Sequence, residues 1–314
     1  MTASRHAPRS TNVQRWQRPL VAVGVLLCLL TSPRPAVGAE RDGEHAAYEN
    51  LIEVLADFAR HLRDDLYRFP PPADVTGGNL FAVTLTRLEN FRTLHPADMP
   101  DVVSFAKAEA YVRLGDYAKA ERAFQAVARL DSPLRPLAEQ RGAVIAAMAR
   151  AADLPERTDT LESRIASLRA KLDAWDTLVR DNTGETYESV CRREEERIEG
   201  RLLSTIIENR AWLDGGSDTA VGSAAFMVAK HSESARAAAH ALRLADLQAA
   251  LARTCAGERT NGKLDEAAFE AHVAAAMEIY ARIASLDGVP EKAEAEGKLR
   301  ALEAYRHTVL SDVH

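Results

Sequence analysis

The sequence predicts an all-α fold, and three observations carry that prediction. Apolar residues recur three and four positions apart along almost every segment, the period of one helix face. Aromatics are only 6% of the 314 residues while Ala and Leu dominate, a composition suited to close-packed helices rather than strands. Gly and Pro fall between the periodic stretches, and no alternating strand pattern stands out.

The first 39 residues read as a removable secretory signal peptide. They hold Arg5, Arg9, Arg15, Arg18 and Arg34 and no acidic side chain, then an apolar run from Leu20 to Leu30. Eleven residues at ~1.5 Å each make a helix of about 16 Å, too short for a bilayer core of ~30 Å. Pro33 and Pro35 break the run, and Val37-Gly38-Ala39 places small residues at a cleavage site. Leu27 before Cys28 argues against lipidation. The expectation is a periplasmic or secreted chain with no stable membrane span once the signal is removed.

Charge sharpens with that removal. The whole chain carries 40 basic and 46 acidic residues, and without the five arginines the balance is 35 to 46, a net of −11. Such a chain has no general basic face for nucleic acid. Of three cysteines, Cys191 and Cys255 remain. In an oxidising compartment they form either one disulfide or two buried thiols, since both sit on apolar stripes.

Each element of the mature chain then follows. Leu51, Val54, Leu55, Phe58 and Leu62 line a helix over 44–67, stopped by Pro70-Pro71-Pro72 and Gly77-Gly78. Phe81, Leu85, Leu88 and Phe91 line a second, with Pro96 and Pro100 as the next break. Residues 101–150 read as three short helices divided at Gly115 and Pro133. Leu161, Ile165, Leu168, Leu172, Trp175 and Val179 alternate four and three apart, a coiled-coil-like pattern. After the turn at 181–184, Tyr187, Cys191, Ile198, Leu202, Ile206 and Leu213 mark the return helix of a hairpin over 158–213. Trp175 belongs near that turn and Trp212 far from it. Helices over 218–230, 233–256, 264–286 and 290–311 complete the chain. The domains expected are an N-terminal one at 40–153, the long hairpin at 154–216 and a C-terminal one at 217–314.

One stretch goes beyond amphipathicity. Ala108, Tyr111, Gly115, Tyr117, Ala120, Phe124, Leu130 and Pro133 are spaced much as in a tetratricopeptide repeat, which residues 101–133 resemble. Small Ala108 and Ala120 let two helices approach closely, Gly115 permits the turn, and the aromatics fill the gaps. Ser104, Lys107 and Val127 depart from the family pattern, and the proline comes one residue late. Tyr280, Ile283, Leu286, Asp287 and Pro290 give a further half-repeat. Degenerate pairs at 44–93 and 218–256 would supply the stacking neighbours that such repeats need. The resemblance implies a superhelix of antiparallel helix pairs that binds a protein or peptide without chemistry. Its groove-lining positions would be Val102, Phe105, Glu109, Val112 and Arg113. Glu109 and Arg113 read equally as an exposed ion pair.

Motifs for catalysis, cofactors or metals are missing from the sequence. His-Glu-x-x-His, Gly-x-Ser-x-Gly, phosphate-loop and haem-attachment patterns do not occur. His240 falls on the Leu244, Leu247, Leu251 stripe and reads as a core histidine, while the mixed charges from Arg192 to Arg197 read as a solvent face or helix flank. The leading expectation is an exported scaffold. The first alternative is an all-α enzyme or small-ligand domain in which several of Glu270, His272, His240 and Arg192 converge between helices. The second is a coiled-coil element of the cell envelope, with the hairpin able to pair with itself as a homodimer.

Overall fold

The computed structural model describes residues 42–63, 78–258 and 264–311. The segment expected to be a signal peptide and the proline-rich stretch after the first helix lie outside the described residues. Within them the chain is all-α, with eleven helices and no strand: α1 (Asp42–Arg63), α2 (Gly78–Leu94), α3 (Pro100–Leu114), α4 (Tyr117–Ala128), α5 (Arg135–Asp153), α6 (Leu161–Asp181), α7 (Glu188–Glu208), α8 (Gly216–Lys230), α9 (Ala237–Gly257), α10 (Glu266–Ala284) and α11 (Lys292–Ser311). No described helix is long and apolar enough to cross a membrane.

The residues form two compact units. Residues up to Pro155 and Asp173–Glu195 make the first, and Glu156–Leu172 with Glu196 onward the second. Of the hairpin expected at 154–216, the end at 173–195 thus belongs to the first unit and its base to the second.

In the first unit, α1 to α5 each pack on the next. Leu51, Leu55 and Phe58 of α1 are buried, as are Phe81, Leu85 and Leu88 of α2, and the Phe58 and Phe81 rings meet edge to face at 6.2 Å. Ala106, Ala108 and Ala110 are buried on α3, and small side chains let its neighbours close in. Phe105 of α3 meets Phe124 of α4 edge-on at 5.3 Å. Phe124 is fully enclosed, a burial worth about 1.5–3 kcal/mol.

The turn between α3 and α4 is built from two local devices. Gly115 takes φ +77°, and the amides of Gly115 and Asp116 donate to the Val112 and Tyr111 carbonyls, closing α3 in a Schellman arrangement. Asp116 then caps α4 by accepting from the Lys119 amide at 3.1 Å. Ser132 ties α3 to the start of α5, donating to Asp101 at 2.6 Å and accepting from the Leu134 amide at 3.1 Å.

In the second unit, Ile165 and Leu168 of α6 share a core with Leu202, Leu203 and Ile206 of α7, Ala220, Ala224 and Met227 of α8, and Leu244, Leu247 and Leu251 of α9. The other face of α9 packs with α10 and α11 around Phe269, Val273, Ala276 and Tyr280. A 3-10 turn at Arg210–Trp212 leads into α8. There Gly216 is obligatory, since a Cβ would sit 1.9 Å from the Arg210 carbonyl oxygen.

Candidate partner-binding face

The five residues expected to line a groove lie on α3 in the first unit, and four of them are buried. Val102 is 5% exposed, Phe105 4%, Glu109 4% and Val112 0%. The chain's own hairpin end lies against this helix. Tyr187 donates its hydroxyl to Glu109 Oε1 at 2.8 Å, and Arg141 of α5 donates to the same oxygen. The Arg141 guanidinium lies 5.2 Å from the Phe105 ring centre and 5.9 Å from that of Tyr187. Arg113 donates to Ser189 Oγ at 3.3 Å, and Arg193 donates to the Arg113 carbonyl at 3.1 Å. Glu109 and Arg113 therefore do not pair with each other on an open surface. Each reaches a different partner from another segment of the unit.

Electrostatics follow from that enclosure. Burial first, and the Glu109 charge second, push the Tyr187 hydroxyl well above its ordinary range, so it stays a donor. Nearby, Trp175 is fully buried with its ring 5.6 Å from that of Tyr117. Beside the Gly115 turn is an open cleft of about 380 Å³ lined by Asp116, Tyr117, Ala149, Ala152 and Asp153.

The charged run of α7 is a helix flank rather than a solvent face. Glu194, Glu195 and Glu196 are buried, as is Glu199, while Arg192 and Arg197 are exposed. In the second unit Glu196 takes hydrogen bonds from His240 Nε2 and from Ser234 Oγ at 2.8 Å. One turn on, Glu199 meets His231 Nε2 at 2.8 Å and Lys230 Nζ at 3.1 Å. The two imidazoles lie 6.0 Å apart. Burial opposes ionisation of both glutamates, but these donors outweigh it and hold each carboxyl below the usual range. His240 is a core histidine with a carboxylate partner.

The residues named for an interhelical chemical site are spent separately. His240 faces Glu196, His272 Nδ1 meets Gln248 at 2.7 Å, Glu270 holds Arg306 at 2.9 Å, and Arg192 holds Glu188 at 2.8 Å. Among the described residues no three His, Cys, Asp or Glu side chains gather where they could hold a metal ion. Cys191 and Cys255 are free thiols, the first buried in the first unit and the second half-buried in the second.

Four of the five α3 positions are enclosed by the chain itself, and sequence reasoning named neither Arg141 nor Tyr187 as partners of Glu109. Their signal was faint: an arginine beside Gly142, and a tyrosine on the return stripe of the hairpin. No protein-family model matches the chain, and neither does any curated protein.

Proposed function

We propose that this protein is an exported, non-catalytic helical-repeat scaffold that holds a protein or peptide partner. One observation carries the reading. The α3 face that a tetratricopeptide-like unit would turn to its ligand already holds a helix, the start of α7, through Glu109 and the Arg113 carbonyl. A face that grips a helix in this way suits a helical partner segment that takes the place of residues 173–195 and offers a hydroxyl to Glu109. The tetratricopeptide-like reading is supported by the enclosed Ala108, Ala120 and Phe124 and by the Gly115 turn. Export rests on the basic, apolar and small-residue order of the first 39 residues.

The test is quantitative capture from the native envelope with the wild-type chain, Tyr187→Phe and Glu109→Gln. Loosening the hairpin end with Tyr187→Phe should raise capture of the partner, and Glu109→Gln should lower it. If no captured protein changes its enrichment between the three baits, the groove reading is wrong.

A further inference from the structure

The outer face of α8 carries a pattern that packing among the described residues does not explain. Ala220, Ala224 and Met227 point into the core, and the opposite face exposes Asp218, Thr219, Gly222, Ala225, Phe226 and Ala229. From Thr219 to Ala229 this helix holds no charge, and Phe226 within that stretch is 59% exposed. Gly222, one turn before Phe226, is a helix-interior glycine that costs stability relative to alanine. Nothing among the described residues requires it, because a Cβ there would meet none of their atoms within 4 Å.

We propose that this face is a self-complementary docking surface for a second copy of the chain, with the two α8 helices antiparallel about a two-fold axis at Ala224. That single centre brings three pairs into register. Phe226 of each copy lies over Gly222 of the other, where the missing side chain leaves room for a ring. Thr219 lies opposite Ala229, small against small. Asp218 in the first turn lies opposite Lys230 in the last, opposite charges that also suit the antiparallel helix dipoles. Lys230 holds Glu199 in its own copy at 3.1 Å and sits 5.7 Å from its own Phe226 ring. It thus brings its charge to the rim of the seam rather than its centre. A single four-turn helix pair covers less than the ~800 Å² per partner of a standard stable interface. The association is accordingly reversible and dependent on concentration.

Sedimentation velocity of the purified chain across the micromolar range reads this directly. The wild type should shift from monomer to dimer with concentration. Gly222→Leu fills the socket with a good helix former, so it should abolish the dimer while leaving the melting temperature equal or higher. Phe226→Ala should weaken association about 30-fold, as for a central aromatic anchor. The exchange variant Gly222→Phe/Phe226→Gly keeps the complementarity and should restore the dimer. A wild type that stays monomeric throughout overturns the proposal, as does a dimer indifferent to both single substitutions. A photo-crosslinker at position 226 that captures only a foreign protein, never the chain itself, also overturns it.

Discussion

Arg141 and Glu109 form an ion pair closed off from water, with side chains 9% and 5% exposed. Deleting one partner strands the other charge, so Glu109→Ala should cost about 3–5 kcal/mol. Replacing both with apolar residues, as in Glu109→Leu/Arg141→Met, should cost less than the single change, because no charge is left buried. Tyr187→Phe removes one hydrogen bond to a carboxylate and should cost about 1.5–3 kcal/mol. Urea unfolding ranks the three. If the double variant is no more stable than Glu109→Ala, the pair is not energetically coupled.

Acid should weaken the second unit through α7. Glu196 and Glu199 have pKa values lowered by their His, Ser and Lys partners despite burial. A lowered carboxyl contributes stability that is complete above its unfolded pKa and fades as pH falls through the folded one. The loss should therefore begin below about pH 4.3, the ordinary glutamate value. Melting curves between neutral pH and pH 3 should show it, and Glu196→Gln/Glu199→Gln should flatten the slope. An unchanged slope in that variant removes these groups from the acid response.

Two glycines should answer differently to alanine. Gly216→Ala drives a Cβ to 1.9 Å from a backbone oxygen, which no rotamer relieves. Gly115→Ala meets no atom closer than 3.7 Å, so its cost is only that of φ +77°, about 1–2 kcal/mol. Thermal denaturation should place Gly216→Ala well below Gly115→Ala. The reverse order would mean that the entry into α8 relaxes freely.

The thiols should label in sequence. Burial pushes the Cys191 thiol up to about 12, so it is neither ionised nor reachable in the folded chain. Cys255 is half-buried, and burial raises its pKa as well, with the Asp265 and Glu258 charges adding to the effect. Iodoacetamide followed by peptide mass spectrometry should modify Cys255 first and slowly, and Cys191 only after unfolding. Two thiols that resist alkylation even in denaturant until reduced would reveal a disulfide.

How much of this was legible beforehand differs by scale. Helix positions follow from apolar period and punctuation, which are local: the end of α3 was readable from Gly115. The core-facing His240 was also readable, because its stripe of leucines extends over three turns. What stayed hidden depends on distant chain. Glu194, Glu195 and Glu196 look like a solvated run beside Arg192, Arg193 and Arg197, yet His240 and Ser234, some forty residues on, draw Glu196 inward. Likewise the α3 positions read as an open face, but no local signal says that Tyr187 and Arg193 reach Glu109 and Arg113 there. Trp175 is enclosed against Tyr117 in the first unit, and Trp212 is 83% exposed in the second.

The make-up of the first unit from two separate stretches of chain also sets an order of events in time. Tyr187 meets Glu109 across 78 positions, and contacts of such range close late because the intervening loop must first be gathered in. A chain emerging from its N-terminus completes α3 and α4 long before α7 exists. Through that interval Glu109 has no Tyr187 hydroxyl and the Arg113 carbonyl has no Arg193, so the nascent protein shows a half-made polar helix face to whatever escorts it. The surface hidden in the finished molecule is thus the one through which its biogenesis is most open to capture.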